Sequence, residues 1–580
     1  MQVRACTSRR IVCSLAAGLF TLPALAGTPA ALDHVPTDAH AVIVVPNLGE
    51  LLNDVNGINA MLGDDGEPMI MMMTSMVRGL PGLNLDGSMA IVLEFDEEMA
   101  DEPDGIVLVP VSDFGAFSNG YQSEENVFEM SIDGNMIYFR DAGGGYAVLG
   151  DDDESVKAFD ASGGNLKSHS ATLGNAGQQI ASGNDISVYV NFGAFDELIA
   201  EGLEEMESQG EMVEMMGGAE AAAGFDAFLN IAQSVANDGS SFAMGVNFDM
   251  ATGISYDFGL QFKDDSGSAS YLMNEGDAGK YFNNVPAMDY FIASSFDLSG
   301  DGLQKMIVEY LKIAEKFDTT GMASGKHMKT LMGEAQGGIA MMGASDNIMG
   351  GLFSKVLNYV EVNNADGYIA ASQQMYAGMG EQMAQLGELG IKIEAGMDEE
   401  PTSIDGVDAY GYNFSMDMSG MDGAGAAMGG MDPGMILGMV FGADGGPAGY
   451  IAKAGDGVVT TMSKDAEFLS LVANAAKGQN TMKGNASIAQ TAAMLPGNRV
   501  METYIGADHL INTAGPMLMM FGVIPEFEPM DSLAPIGMGM SADGGGVLFR
   551  LAIPMQTIGA VMEMIPSEAF GDDDDEDMEF

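Results

Sequence analysis

Five short anchors occur twice in this chain of 580 residues, in the same order. Val35-Pro36, the apolar run Ala41 to Val45 and Asn47-Leu48 are echoed by Val285-Pro286, Tyr290 to Ala293 and Asp297-Leu298. Ser131-Ile132-Asp133-Gly134 returns letter for letter as Ser403-Ile404-Asp405-Gly406. Tyr146-Ala147-Val148-Leu149 runs into an acidic helix start, as Val458-Val459-Thr460-Thr461 does into Lys464-Asp465. Asp185 to Val190 resembles Arg499 to Ile505, and Phe242 to Phe262 resembles Ile536 to Leu551. Recurrence on this scale constrains the fold more than composition does, because it predicts one supersecondary unit written twice. The expected modules are 27–283 and 284–570, with 1–26 and 571–580 outside them.

Each copy opens with a strand and continues into a helix. Val42 to Val45 are β-branched without a break, as in a strand buried on both faces. Pro46 ends that strand, and 48–62 carries helical spacing. Ile186, Val188 and Val190 alternate with Ser187, Tyr189 and Asn191, which predicts a half-buried strand. Apolar stripes predict helices over 195–216 and 303–316, with Asp301-Gly302 at the start of the second. Strands paired through Gly/Asp turns and set apart from longer helices indicate an α+β chain. The expectation is two tandem related modules, each an antiparallel sheet packed with helices on one face. Residues 415–448, almost pure Gly, Met, Ala and Asp, read as an insert in the second module. The acidic run 571–580 has nothing to bury and reads as a disordered tail.

Residues 1–26 have the layout of an export signal. Arg4, Arg9 and Arg10 precede a short apolar stretch, and Ala24-Leu25-Ala26 places small residues where a signal peptidase cuts. Ser8-Arg9-Arg10 has a twin-arginine look. No later segment holds 18 consecutive apolar residues, so the expected product is exported to the periplasm or beyond and not integral to a membrane. Both cysteines, Cys6 and Cys13, fall inside that signal, which removes disulfides, thiol chemistry and Cys-based metal sites from consideration. The 84 acidic residues against 22 basic ones give a net charge of −62. Only Arg78, Arg140, Arg499 and Arg550 follow the signal as arginines, which excludes a nucleic-acid partner. The charge itself reads as a solvated acidic surface, of the kind that keeps proteins soluble in saline habitats.

Val35-Pro36-Thr37-Asp38 at a strand start, Gly145-Tyr146-Ala147-Val148-Leu149-Gly150 before an acidic helix start, and duplication within one exported chain resemble a family of exported bacterial proteins, domain-of-unknown-function family 3352. The pattern spans most of 33–570. The second copy departs from it at Met288, which separates Pro286 from Asp289 by one residue more. The resemblance implies a duplicated architecture and carries no activity with it.

Catalytic constellations are few. The sequence contains no His-Glu-x-x-His, no Gly-x-Ser-x-Gly, no Ser-x-x-Lys and no phosphate-binding Gly-x4-Gly-Lys-Ser/Thr loop. His34, His40, His169, His327 and His509 never stand two to four residues apart, so they read as lone surface or boundary side chains. Asp297, Ser299, Asp301 and Gly302 fill four positions of a calcium loop, but Val308 stands where the bidentate Glu belongs, which favours a helix start. No catalytic residue and no resident cofactor is assigned.

Methionine is the anomaly, with 51 in the chain. Met69, Met72, Met73 and Met76, and again Met212, Met215 and Met216, follow helical spacing and predict core stripes. In the insert, Met416, Met418, Met421, Met428, Met431, Met435 and Met439 have no core to fill. Soft thioether ligands of this kind suit Cu(I), and the segment is similar to Met-rich stretches of periplasmic copper-resistance proteins without their histidines. The first expectation is an exported, non-enzymatic protein that binds an apolar or lipid-like ligand, a membrane face or a partner protein. Cu(I) binding by the insert is the alternative.

Overall fold

The computed structural model describes residues 28–61, 68–95, 104–132, 135–317, 326–344, 351–383, 392–417, 441, 446–520, 522 and 526–564. Residues 1–26 and 571–580, read above as signal and tail, lie outside them. The chain is α+β and forms two compact units, Met1–Ala194 with Ser241–Asn247, and Phe195–Ser240 with Phe248–Phe580.

The first unit is built on β1 (Ala41–Val45), β2 (Met89–Glu94), β3 (Asp104–Pro110), β4 (Gln122–Glu124), β5 (Val127–Ile132), β6 (Asn135–Gly143), β7 (Tyr146–Gly150), β8 (Ile186–Asn191) and the part of β9 (Gly239–Asp249) that faces β8. All neighbours are antiparallel, in the order β4-β5-β6-β7-β3-β2-β1-β8-β9. Val42, Val44, Ala90, Val92, Leu108 and Val148 come from alternate positions on neighbouring strands and are fully buried. Leu173 and Ile180 of the helix Leu166–Gly183 are buried as well, and that helix packs on β8.

The second unit contains β10 (Gly253–Phe262), β11 (Tyr290–Asp297), β12 (Ala335–Gly343), β13 (Val356–Val362), β14 (Lys392–Met397), β15 (Thr402–Ile404), β16 (Val407–Asp417), β17 (Ala448–Ala454), β18 (Gly457–Thr461), β19 (Arg499–Ile505), β20 (Ile536–Asp543) and β21 (Gly546–Pro554). Its antiparallel order is β15-β16-β17-β18-β13-β12-β11-β19-β20-β21-β10, with β14 beside β15 on the same edge of β16. The pairing order of the first unit thus recurs. The register recurs with it: Tyr189 faces Val42 as Tyr504 faces Ala293, and Val42 faces Val92 as Ala293 faces Met341. After β7 and β18 the same device starts a helix. Asp152 accepts from the Glu154 and Ser155 amides, and Asp465 from those of Glu467 and Phe468. Such caps satisfy amides that have no partner inside the helix.

One anchor sits on different hairpins in the two units. Ser131-Ile132 ends β5, whereas Ser403-Ile404 ends β15, which pairs with β16 as β4 pairs with β5. The likeness belongs to the turn chemistry. Asp405 and Gly406 take φ of 49° and 81°, which a two-residue hairpin requires of any strand pair it joins. The insert 415–448 falls in the β16–β17 connection, mostly outside the described residues.

The core of the second unit lies on one sheet face. Ala293, Ile339, Met341, Leu357, Tyr359, Ala452 and Val459 pack under Phe468, Leu469 and Val472 of the helix Ala466–Ala475. The other face carries an additional layer over β17 and β18, where Ile451, Val458 and Tyr412 meet Ile369 and Tyr376 of the helix Ala365–Met383.

The methionine stripes are not core. In the helix Pro68–Arg78, Met72, Met73 and Met76 are 68%, 53% and 55% exposed, and Met212 and Met215 are 54% and 82% exposed. The side chains of Met69 and Met216 lie outside the described residues. Polar groups bridge the helices Leu48–Met61 and Pro68–Arg78. Thr74 donates to Asn56 at 2.8 Å and Arg78 to Asn53 at 2.6 Å, and Thr74 is itself buried. Spacing identifies a helical face but not what covers it. Brief peroxide treatment of the folded chain is therefore expected to convert Met72, Met73, Met76 and Met215 to sulfoxides well before Met341 and Met482, which are 1% and 3% exposed. Equal rates in peptide mass spectrometry would show those faces to be covered.

Candidate functional site

Antiparallel pairing gives β11–β13 two faces. Ala293, Ser295, Ile339 and Leu357 go to the core, while Ile292, Ser294, Ala340, Met342 and Val356 go to the other side. There they line a cleft of about 340 Å³, closed at its sides by Phe353, Phe441 and Met462. The turn before β13 places Phe353, since the Val356 amide bonds back to its carbonyl at 3.2 Å. The Phe353 and Phe441 rings lie 5.6 Å apart at 43°. Met462 is held at the far end of β18 by its amide bond to the Val356 carbonyl.

Among the described residues the lining carries no charge. Its one hydroxyl, that of Ser294, is paired with the Thr503 hydroxyl at 2.8 Å and is not left seeking a partner. Ile292, 37% exposed, is accessible from solvent. An open apolar concavity of this size is at the small end of the ligand-site range, and removal of an acyl chain or aromatic ring from water is what it can reward. Among the described residues, none that lines it is an Asp, Glu, His, Lys, Arg or Cys.

A second concavity, of about 520 Å³, lies in the first unit between Pro36, Val92, Ile106 and the segment Ser155–Gly163. Asp38, Glu94 and Asp160 face it. The Asp160 carboxylate is already engaged by the Ser162 hydroxyl and amide, which hold its pKa below the usual range. Among the described residues no three His, Cys, Asp or Glu side chains converge to hold a metal ion.

The histidines divide differently from expectation. His169 is not a surface or boundary side chain. It is 3% exposed, with Nε2 2.8 Å from the Val35 carbonyl and Nδ1 2.6 Å from the Tyr189 hydroxyl. Burial lowers its pKa, and its two bonds tie the segment before β1 to β8. The His34 ring lies 4.6 Å from that of Tyr146, tilted by 45°, and His509 lies near Asp508 and Asp289 at 3.7 and 3.8 Å.

Asp297 ends β11 and holds the turn that leads into the helix Asp301–Phe317. Its Oδ1 accepts from the Ser299 amide and hydroxyl, and its Oδ2 from the Asp277 amide and Lys280. Burial pushes its pKa up, but these bonds together bring it below the ordinary value, and no lone pair is left for calcium. Of the insert methionines, Met416 lies in β16 with its side chain outside the described residues, and Met418, Met421, Met428, Met431, Met435 and Met439 lie wholly outside.

No signal in the sequence marks the cleft residues. They are ordinary outward-facing strand positions until β11, β12 and β13 are side by side. Among the described residues no helix is long and apolar enough to cross a membrane. No family model, curated protein or solved structure matches this chain.

Proposed function

We propose that this chain is an exported protein, built from two copies of one α+β module, that binds an apolar ligand in the cleft over β11–β13. The observation that carries the reading is the uncharged, solvent-open lining of Ile292, Ala340, Met342, Phe353, Val356, Phe441 and Met462. An apolar concavity open to water is costly unless something covers it, and an acyl chain or aromatic ring meets that need. The duplication is supported by the shared pairing order and register and by the paired Asp caps. Export is supported by the arginine-led apolar segment at 1–26, and the resemblance to the duplicated exported family of unknown activity agrees with both.

Native mass spectrometry of protein purified from its own compartment tests the reading. An adduct of several hundred daltons is expected, released on unfolding, with fragments that name the ligand class. The delipidated protein should brighten the neutral dye Nile red. Ala340→Phe, which fills the cleft from β12, is expected to weaken the dye by about tenfold, the effect of excluding a few buried methylenes. A bare polypeptide mass together with unchanged dye binding in Ala340→Phe would overturn the assignment.

A further inference from the structure

The helix Asp196–Asp238 is broken at Gly218, which takes φ 73° and ψ −174°. Its two arms fold back on each other. Gln233 donates to Glu207 at 2.7 Å across 26 residues, and the Phe225 ring lies 3.6 Å from where a Cβ on Gly210 would be. Leu203, Met206, Gly210, Phe225 and Leu229 are half-buried along that seam. Large apolar side chains are left outside it: Leu198 is 44% exposed, Met212 54%, Met215 82%, and Phe228 and Ile231 58% each. Phe228 and Ile231 stand three apart and share a face of the second arm, as Met212 and Met215 do near the end of the first.

The surrounding charge is of one sign. The segment 196–238 contains 11 Asp and Glu and no Lys, Arg or His. Asp196, Glu201, Glu204, Glu205, Glu207 and Asp226 are exposed. We infer that this hairpin is a docking surface for a basic amphipathic helix of a partner protein. Its apolar side lies on Phe228 and Ile231, and its Lys and Arg residues meet the acidic rim. Charge complementarity decides the occupant. An anionic membrane is repelled by the rim, and a second copy of a chain at −62 has no basic residue on its own hairpin to offer. The inference stands apart from the cleft over β11–β13, whose lining shares no residue with the hairpin.

The test uses the full chain and a fluorescein-labelled Leu/Lys amphipathic peptide, with a peptide of the same composition in scrambled order as control. Fluorescence anisotropy is expected to show tighter binding of the amphipathic order, weakening as salt rises. Phe228→Ser with Ile231→Ser should weaken it at least tenfold. Glu201→Gln with Glu204→Gln and Glu205→Gln should weaken it and flatten the salt dependence. All are exposed positions, and circular dichroism will report an intact fold. Equal affinity for the scrambled peptide would reduce the effect to net charge and overturn the inference. So would Ser variants that bind as the parent does, co-sedimentation with zwitterionic or anionic vesicles, or a dimer dispersed by the Ser pair. Loss of Nile red binding in the Ser variants would instead tie the hairpin to the ligand cleft.

Discussion

Asp257→Ala is expected to open the β10–β21 edge of the second unit. The Asp257 carboxylate is fully buried and takes Nε and an Nη of Arg550 at 2.6 Å each, while the other Nη donates to the Met494 carbonyl at 2.9 Å. The two residues are direct partners in the β10–β21 register. Removing one partner strands a charge that is 20% exposed and already committed to the interior, and such a loss costs about 3–5 kcal/mol. Replacing both by apolar residues of similar size, Asp257→Leu with Arg550→Met, should recover most of it, because no charge is then left unpaired. Hydrogen exchange of the β10 and β21 amides is the suitable readout, since it reports local opening without assuming that two units unfold together. Single and double variants exchanging alike would refute the pairing argument.

Gly449→Ala is expected to cost about 3 kcal/mol, at the upper end for overpacking. A Cβ on Gly449 would lie 1.7 Å from the Thr461 carbonyl oxygen. That oxygen also accepts the Tyr412 hydroxyl at 2.9 Å, so the strand cannot move without losing a buried bond. β17 and β18 must separate, and they carry Ala452 and Val459 of the main core. Gly497→Ala is the control: nothing lies within 4 Å of its Cβ position, so it should leave the denaturation midpoint unchanged. Comparable midpoints for the two variants would show that the close approach of β17 and β18 relaxes at no cost.

The local elements were legible. Ala41–Val45 forms the buried strand its β-branched run indicates, the helices Leu48–Met61 and Asp301–Phe317 lie where spacing puts them, and the acidic residues after β7 and β18 cap helices. The helix expected over 195–216 is followed, after the break at Gly218, by a second helical arm that runs to Asp238. Less was legible of which face each element buries. In β8 the alternation is present, but Ser187 and Tyr189 are the buried members, while Ile186, Val188 and Val190 are only half-covered. Tyr189 is drawn inward by His169, 20 residues away, and that bond has no trace in the period of the strand.

Sequence by itself determined element type, helix starts and the tight Asp-Gly turn, because each depends on neighbours a few residues away. Tertiary structure alone decided three things: the outward methionines of Pro68–Arg78, the inward Tyr189, and the cleft that Ile292, Ala340 and Val356 form together. Burial is a property of what packs against a face. Those partners come from strands and helices tens to hundreds of residues away, so periodicity can say that a face exists but not what covers it.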